Sequence, residues 1–291
     1  MTSHTLLLVD DDPAVHELMA AVLRRPEWRI DNAYNGLDGL ARVQEQSYDV
    51  VLTDVRLPGL DGLELLRRIR EIRPDAKVMM MTAESTSARV VRAIREHAFS
   101  YFSKPFSPSA VAETIAQAVN TATWQDDIEV YSATPQWISL RLRSKMETAD
   151  RLMQFVREME MDFSPREREN IASAFRELLM NAIEHGGGSD PDKRVQVTYV
   201  RTSRAIIYLI QDPGKGFSFD AIAHAAIANP PGEPARHLEI RAEQGVRPGG
   251  FGILLTRNLV DELIYSEKGN EVLFIKYLKE GHDGPVSLPV E

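Results

Sequence analysis

The feature that most constrains this chain is the stretch from Asp49 to Gly62, a short apolar run that ends on a carboxylate and then turns. Val50, Val51 and Leu52 are continuously apolar rather than alternating, the pattern of a strand buried on both faces in a parallel sheet covered by helices. Asp54 then stands at the strand's carboxyl end, the edge at which open α/β sheets bind ligands. Pro58 and Gly59 break the chain into a loop before the next helix. Taken alone, a turn cap is the simpler reading of Asp54.

Three more polar elements fall at strand ends in order along the chain. Leu6 to Val9 runs into Asp10, Asp11 and Asp12; Met79 to Met81 ends in Thr82; Tyr101 to Ser103 ends in Lys104 and Pro105. Clustered carboxylates repel one another, and the natural stabiliser for them is a hard divalent cation with oxygen ligands, Mg²⁺ above all. A hydroxyl and an ammonium at the same edge suit the oxygens of a transferred phosphoryl group. This set resembles the receiver domain of two-component response regulators across residues 1–122. The resemblance implies that Asp54 is the phosphate acceptor and that Asp10 and Asp11 organise Mg²⁺, with the Val55 or Arg56 carbonyl completing the shell. It further implies that Thr82 and Lys104 contact the phosphoryl oxygens, that Tyr101 is the switch aromatic, and that Asp12 is a helix cap. The donor would be a sensor histidine kinase or a small phospho-donor.

With 291 residues, 43% hydrophobic and 26% charged, the chain has room for two ordinary globular domains. The absence of cysteine excludes a disulfide framework, a thiol nucleophile and cysteine-bound zinc. A formal charge of −9 disfavours nonspecific nucleic-acid binding. No signal-peptide pattern or membrane-length apolar run is present, so a cytoplasmic location is expected.

Along the chain, β and α patterns alternate up to a helix over 107–122, which predicts a five-stranded, doubly wound, flavodoxin-like parallel sheet. Residues 123–135, from the acidic Trp124–Val130 stretch to Pro135, read as a linker, either a tether or a continuation of the preceding helix. The second domain spans 136–280 and a tail 281–291. Its pattern restarts with alternating Ile138, Leu140 and Leu142, then a helix over 147–161. Ser164, Pro165 and Glu167 make a helix opening.

The following helix carries Glu177, Asn181 and His185, each four residues apart and so expected along one face. A solvated polar stripe is an equal reading of that helix taken alone. A hairpin over 195–200 and 205–211 then runs into Asp212, Gly214 and Gly216, where glycines permit a tight backbone close to a ligand and the carboxylate can accept from an exocyclic amine. Gly249, Gly250 and Gly252 open a helix expected to continue through Leu255, Leu259 and Leu263. Bare backbone N–H groups there suit anionic phosphates. A strand over 264–266 and another over 272–278 close the pattern.

This order resembles the N, G1 and G2 boxes of the GHKL (Bergerat) ATPase superfamily shared by histidine kinases, gyrase, the Hsp90 chaperone and the anti-sigma-factor serine kinases, and it looks closest to the last. The expected fold is an α/β sandwich. The resemblance implies that Asn181 holds Mg²⁺ against ATP, Asp212 receives the adenine amine, and Gly214, Gly216, Gly250 and Gly252 border the nucleotide. It makes Glu177 the general base toward a substrate serine, and residues 218–248 a lid. Since Glu177 sits one turn from Asn181, such a role is geometrically reasonable.

The expected function is a response regulator whose Asp54 phosphorylation controls an ATP-dependent serine/threonine kinase domain acting on an anti-sigma-factor antagonist, with a sigma factor as a second partner. The alternative is a non-catalytic ATP-binding switch that sequesters a sigma factor or another regulator. A homodimer is implied by resemblance alone. The output half has neither a helix-turn-helix pattern nor a basic recognition helix, so direct DNA binding is not expected.

Overall fold

The computed structural model describes residues 4–24, 27–121, 124–160, 163–216 and 252–278, with Glu233, Arg236 and Glu243 besides. Gly250, most of the expected lid and the expected tail lie outside the described residues. The chain divides into two compact units, one of Met1–Asp127 with Gln154–Met161, the other of Ile128–Met153 with Asp162–Glu291.

The first unit is a parallel sheet of β1 (His4–Val9), β2 (Trp28–Ala33), β3 (Val50–Asp54), β4 (Val78–Thr82) and β5 (Ser100–Ser103) in the order β2-β1-β3-β4-β5. All five residues of β3 and of β4 are buried, as the continuous apolar runs require. Helices α1 (Pro13–Val22), α2 (Gly36–Glu45), α3 (Gly62–Ile72), α4 (Ser87–Arg95) and α5 (Pro108–Asn120) alternate with the strands. Asp12 caps α1 by accepting from the Ala14 N–H at 2.9 Å, with Pro13 at the first helical position. Asp61 does the same for α3, accepting from Leu63 and Glu64. One core joins Leu6, Leu8, Met19, Leu52, Met81 and Ile115 with Trp124. That tryptophan, which sequence placed in the linker, packs edge-on against Phe99 at 5.5 Å and lies under the Arg70 guanidinium at 4.8 Å. Its acidic neighbours masked a core residue.

The second unit is an antiparallel six-stranded sheet in the order β10-β11-β9-β8-β7-β6, covered by helices. Its elements are β6 (Ile128–Ala133), β7 (Trp137–Arg143), α6 (Met146–Met159, of which the part up to Met153 belongs to this unit), α7 (Pro165–Asn181), β8 (Arg194–Arg201), β9 (Ala205–Gln211), α8 (Gly252–Leu259), β10 (Glu262–Tyr265) and β11 (Glu271–Tyr277). Residues 128–133, read from sequence as linker, are therefore an edge strand paired with β7. Tyr208 is the hub of the core, stacked on Phe274 at 4.9 Å and tilted against Phe175 and Tyr199 at 5.0 Å. Burying each such ring contributes about 1.5–3 kcal/mol.

Helix α7 opens with a complete capping box. Glu167 N–H donates to Ser164 Oγ at 3.3 Å, and Ser164 N–H donates to Glu167 Oε2 at 3.1 Å. Two expectations need correction. Helix α8 stops at Leu259, and Leu263 lies in β10 opposite Phe274. The four-residue leucine spacing suits a helix, but pairing of Ile264 and Tyr265 with β11 wins. Likewise α7 ends at Asn181 and continues as a π-helical turn, Ala182–Gly186. The wider turn rotates His185 off the line of Glu177 and Asn181 and leaves it exposed.

Candidate functional site

In the first unit, β1 and β3 are register neighbours, so Asp10 and Asp54 emerge together at the carboxyl edge of the sheet. One carboxylate oxygen from each of Asp10, Asp11 and Asp54 falls within a 4.8 Å group, a donor set suited to a hard divalent cation. Asp10 is fully buried and Asp54 nearly so, while Asp11 faces solvent. Lys104 spans the cluster, its Nζ 2.7 Å from Asp10 Oδ2 and 3.1 Å from Asp54 Oδ2. Burial works against the Lys104 charge, but the hydrogen bond and charge of Asp10, then the charge of Asp54, outweigh it and raise its pKa. Burial raises the Asp10 pKa, opposed by Lys104 and the Asp12 N–H. Removing one partner of such a buried pair costs about 3–5 kcal/mol.

Asp54 Oδ1 also accepts from the Arg56 N–H at 3.3 Å, and the Val55 carbonyl already accepts from Gly62 at 2.8 Å. Thr82 is fully buried at the end of β4, and its hydroxyl accepts from the Glu84 N–H at 3.2 Å. Tyr101 is buried on β5, where desolvation pushes its phenol up to about 12. Its hydroxyl lies beside that of Ser85, which opposes the larger effect of burial. Sequence reading passed over His16, whose Nε2–H donates to the Asp10 carbonyl at 2.8 Å and whose Nδ1 meets Asn32 Oδ1 at 2.9 Å. It fixes the backbone that carries Asp10. A lone histidine on an apolar helix face offered no signal of this.

In the second unit, Glu177 and Asn181 lie one turn apart on α7, with Asn181 Nδ2 3.5 Å from Glu177 Oε1. A Cβ at Gly252, the first residue of α8, would fall 1.7 Å from Glu177 Oε1. A larger residue there would require the flexible Glu177 side chain to swing aside from its present place. Tyr265 has its pKa raised by burial and by the charge of Glu177. Asp212 follows β9 and is pinned by the backbone. Gly214 N–H donates to its Oδ1 at 2.7 Å, its own N–H donates to the Asn270 carbonyl at 2.9 Å, and Asn270 Nδ2 donates to its carbonyl at 3.2 Å. Burial raises the Asp212 pKa, opposed by the Gly214 N–H and by Lys268.

A Cβ at Gly186 would fall 2.2 Å from the Asp212 carboxylate. The π turn is what carries Gly186 there. That contact was missed because the reading of the helix ran on with α-helical spacing. Gly216 has φ of +77° and packs on the Lys268 carbonyl, at the tight turn its position implied, while Lys215 is exposed. Among the described residues, no helix is long and apolar enough to cross a membrane.

Comparison with known proteins assigns the two halves separately. Residues 6–116 match the response regulator receiver domain family, and residues 142–276 match the histidine kinase-like ATPase domain family. The chain is 34% identical over 118 residues to the transcriptional regulatory protein ResD of Bacillus subtilis strain 168, covering 40% of this chain and 49% of that one. It is 32% identical over 123 residues to the DNA-binding transcriptional regulator NtrC of Azospirillum brasilense, covering 42% and 26% respectively. The chain thus spans about half or less of the length of these relatives. Among solved structures, a CheY-like receiver domain protein from Methanospirillum hungatei JF-1 is 27% identical with a TM-score of 0.40, covering 41% of this chain and 95% of that one. Strand-end carboxylates on a parallel sheet and a glycine-bordered carboxylate on an antiparallel one therefore mark a response regulator receiver domain joined to a histidine kinase-like ATPase domain.

Proposed function

We propose that this protein is a phosphorylation-gated ATP-dependent protein kinase. Its receiver accepts a phosphoryl group on Asp54 and thereby controls serine or threonine phosphorylation by the ATPase domain. In the first reaction a carboxylate oxygen of Asp54 attacks the phosphorus of a phosphohistidine or small phospho-donor. An O–P bond forms and the donor's P–N or P–O bond breaks, the leaving group keeping the electron pair. Asp10, Asp11 and Asp54 would hold Mg²⁺, which when bound supplies charge neutralisation at the phosphoryl oxygens. Lys104 then serves as the ammonium for one of those oxygens, and Thr82 as a hydroxyl donor once turned from Glu84.

In the second reaction Asp212 accepts from the adenine amine, with Gly186, Gly214 and Gly216 shaping the backbone around it. Asn181 would hold the Mg²⁺ that accompanies ATP. Glu177 takes the proton of the substrate hydroxyl as its oxygen bonds to the γ-phosphorus, and the bridging bond to ADP breaks. The observation that carries a kinase over a passive nucleotide binder is Glu177 itself. A carboxylate one turn before Asn181, against the first residue of α8, supports a proton acceptor for the substrate hydroxyl in this reading. The proposed substrate is a small anti-sigma-factor antagonist, with an alternative sigma factor as second partner.

The test is transfer of label from γ-labelled ATP to candidate antagonist proteins, with and without prior acyl phosphorylation of Asp54. The expected result is serine or threonine labelling that changes with the state of Asp54. ATP binding with no label moved to any candidate overturns the kinase and leaves a binding switch.

A further inference from the structure

Asp10 is fully buried, and each of its polar groups is held from a different part of the first unit. Its N–H donates to the Ala33 carbonyl of β2 at 3.1 Å, its Oδ1 accepts from the Asp12 N–H at 3.0 Å, and its Oδ2 accepts from Lys104 Nζ at 2.7 Å. Its carbonyl accepts from His16 Nε2 at 2.8 Å. A carbonyl can only accept, so Nε2 carries the proton in that bond. His16 is buried on α1, its Nδ1 2.9 Å from Asn32 Oδ1, and the half-exposed ring of Tyr34 tilts over it at 4.5 Å.

These four tethers are not equivalent once a cation arrives. Lys104 is the one a divalent ion disturbs, because ion and ammonium compete for the same carboxylates and repel each other. A phosphoryl group on Asp54 would draw the ammonium further. The Asp12 N–H lies in the same loop, two residues on, and moves with it. The tethers that tie the Asp10 backbone to neighbouring elements are then Ala33 on β2 and His16 on α1. Neither carries a group that the metal can take over.

We propose that His16 is a positioning residue for the divalent-cation site, holding Asp10 by its carbonyl and so fixing where its carboxylate points. The proposal rests on the reading of Asp10, Asp11 and Asp54 as the Mg²⁺ donors and extends it to a side chain outside the donor set. With its carbonyl released, the Asp10 peptide gains freedom to rotate. Its carboxylate then spends less time where it meets those of Asp11 and Asp54, and the cation loses affinity. Groups that orient a metal ligand in this way are worth about 10–100-fold in affinity. Because His16 touches neither metal nor phosphoryl group, its loss raises the Mg²⁺ requirement and leaves the rate of the filled site unchanged.

Calorimetric titration of the full chain with Mg²⁺ tests this, comparing the native protein with His16→Gln and His16→Asn. Glutamine carries an N–H donor as many bonds from Cβ as Nε2 stands, and asparagine one at the reach of Nδ1, so only glutamine can still meet the Asp10 carbonyl. His16→Gln should keep native Mg²⁺ affinity, and His16→Asn should lose about tenfold or more. Labelling of Asp54 in His16→Asn by a small phospho-donor should fall in step at limiting Mg²⁺ and recover at saturating Mg²⁺. Native affinity in His16→Asn overturns the proposal. So does an equal loss in both variants, which would assign the effect to packing of the ring, and so does labelling that stays slow at saturating Mg²⁺. A native chain that binds no Mg²⁺ defeats the reading of the donor set and the proposal with it. Native binding that neither variant alters keeps that reading and defeats His16 alone.

Discussion

The receiver edge and the proposed nucleotide site use opposite means to hold a carboxylate. At the receiver, Asp10 and Asp54 are held by another charge, Lys104, which reaches across from the end of β5. At the ATPase site, Asp212 is held by backbone: an N–H from Gly214, a strand-to-strand exchange with Asn270, and the bare Cα of Gly186. A charge-paired site can be rearranged by a new charge, since a phosphoryl group competes directly for the ammonium. A site shaped by backbone changes only if the chain itself moves. The difference makes the first suited to a switch and the second to a constant binding pocket.

The comparison can be broken most decisively at Asp54. Asp54→Asn should reduce acyl phosphate formation to background, by label transfer from a phospho-donor, while ATP affinity stays native. Continued labelling would remove Asp54 as the acceptor. Next in size is Glu177→Ala, expected to lower phosphotransfer to a protein substrate by about 10²–10⁴-fold with ATP affinity retained. Equal loss of both in calorimetry and label transfer would return Glu177 to the binding machinery. Gly186→Ala should displace the Asp212 carboxylate and weaken ATP binding by roughly tenfold or more, the loss of one hydrogen bond to a charged group. Acyl phosphorylation of Asp54 should be unaffected, and native ATP affinity in this variant would show that the close approach does not matter.

The smallest effect concerns pH. Because the folded Asp212 pKa is raised above 3.8, the native state binds more protons than the unfolded one between those two values, so this group's contribution to stability falls as pH rises through that window. The carboxylate proposed to accept from the adenine amine is complete only above the raised value. ATP affinity should therefore be level near neutrality and fall on acidification before the pH at which an ordinary aspartate titrates. Asp212→Asn should flatten that limb, and an identical acid limb in the variant would assign it to another group.

Much of this was legible beforehand. The apolar runs ending in Asp10, Asp54 and Thr82 announce strands whose carboxyl ends converge, because a parallel sheet covered by helices leaves only that edge for ligands. The capping box at Ser164 and Glu167 and the proline after Asp12 were local signals with local outcomes. The errors lay where partners distant in sequence decide. Trp124 reads as linker until Phe99 and Arg70 are beside it, and Leu263 reads as helix until β11 pairs with it. His185 aligns with Asn181 only while the helix keeps its α-helical turn.

Sequence by itself thus specified the candidate groups, their order along the chain, and the two kinds of sheet that carry them. Periodicity and turn chemistry are properties of short stretches of chain. What required the folded molecule was which groups touch: Lys104 across two aspartates, Gly186 and Gly252 against carboxylates far along the chain, and Glu158 on Ser103. Those contacts are set by register, by the phase of a helical turn and by packing, and each depends on residues tens of positions away.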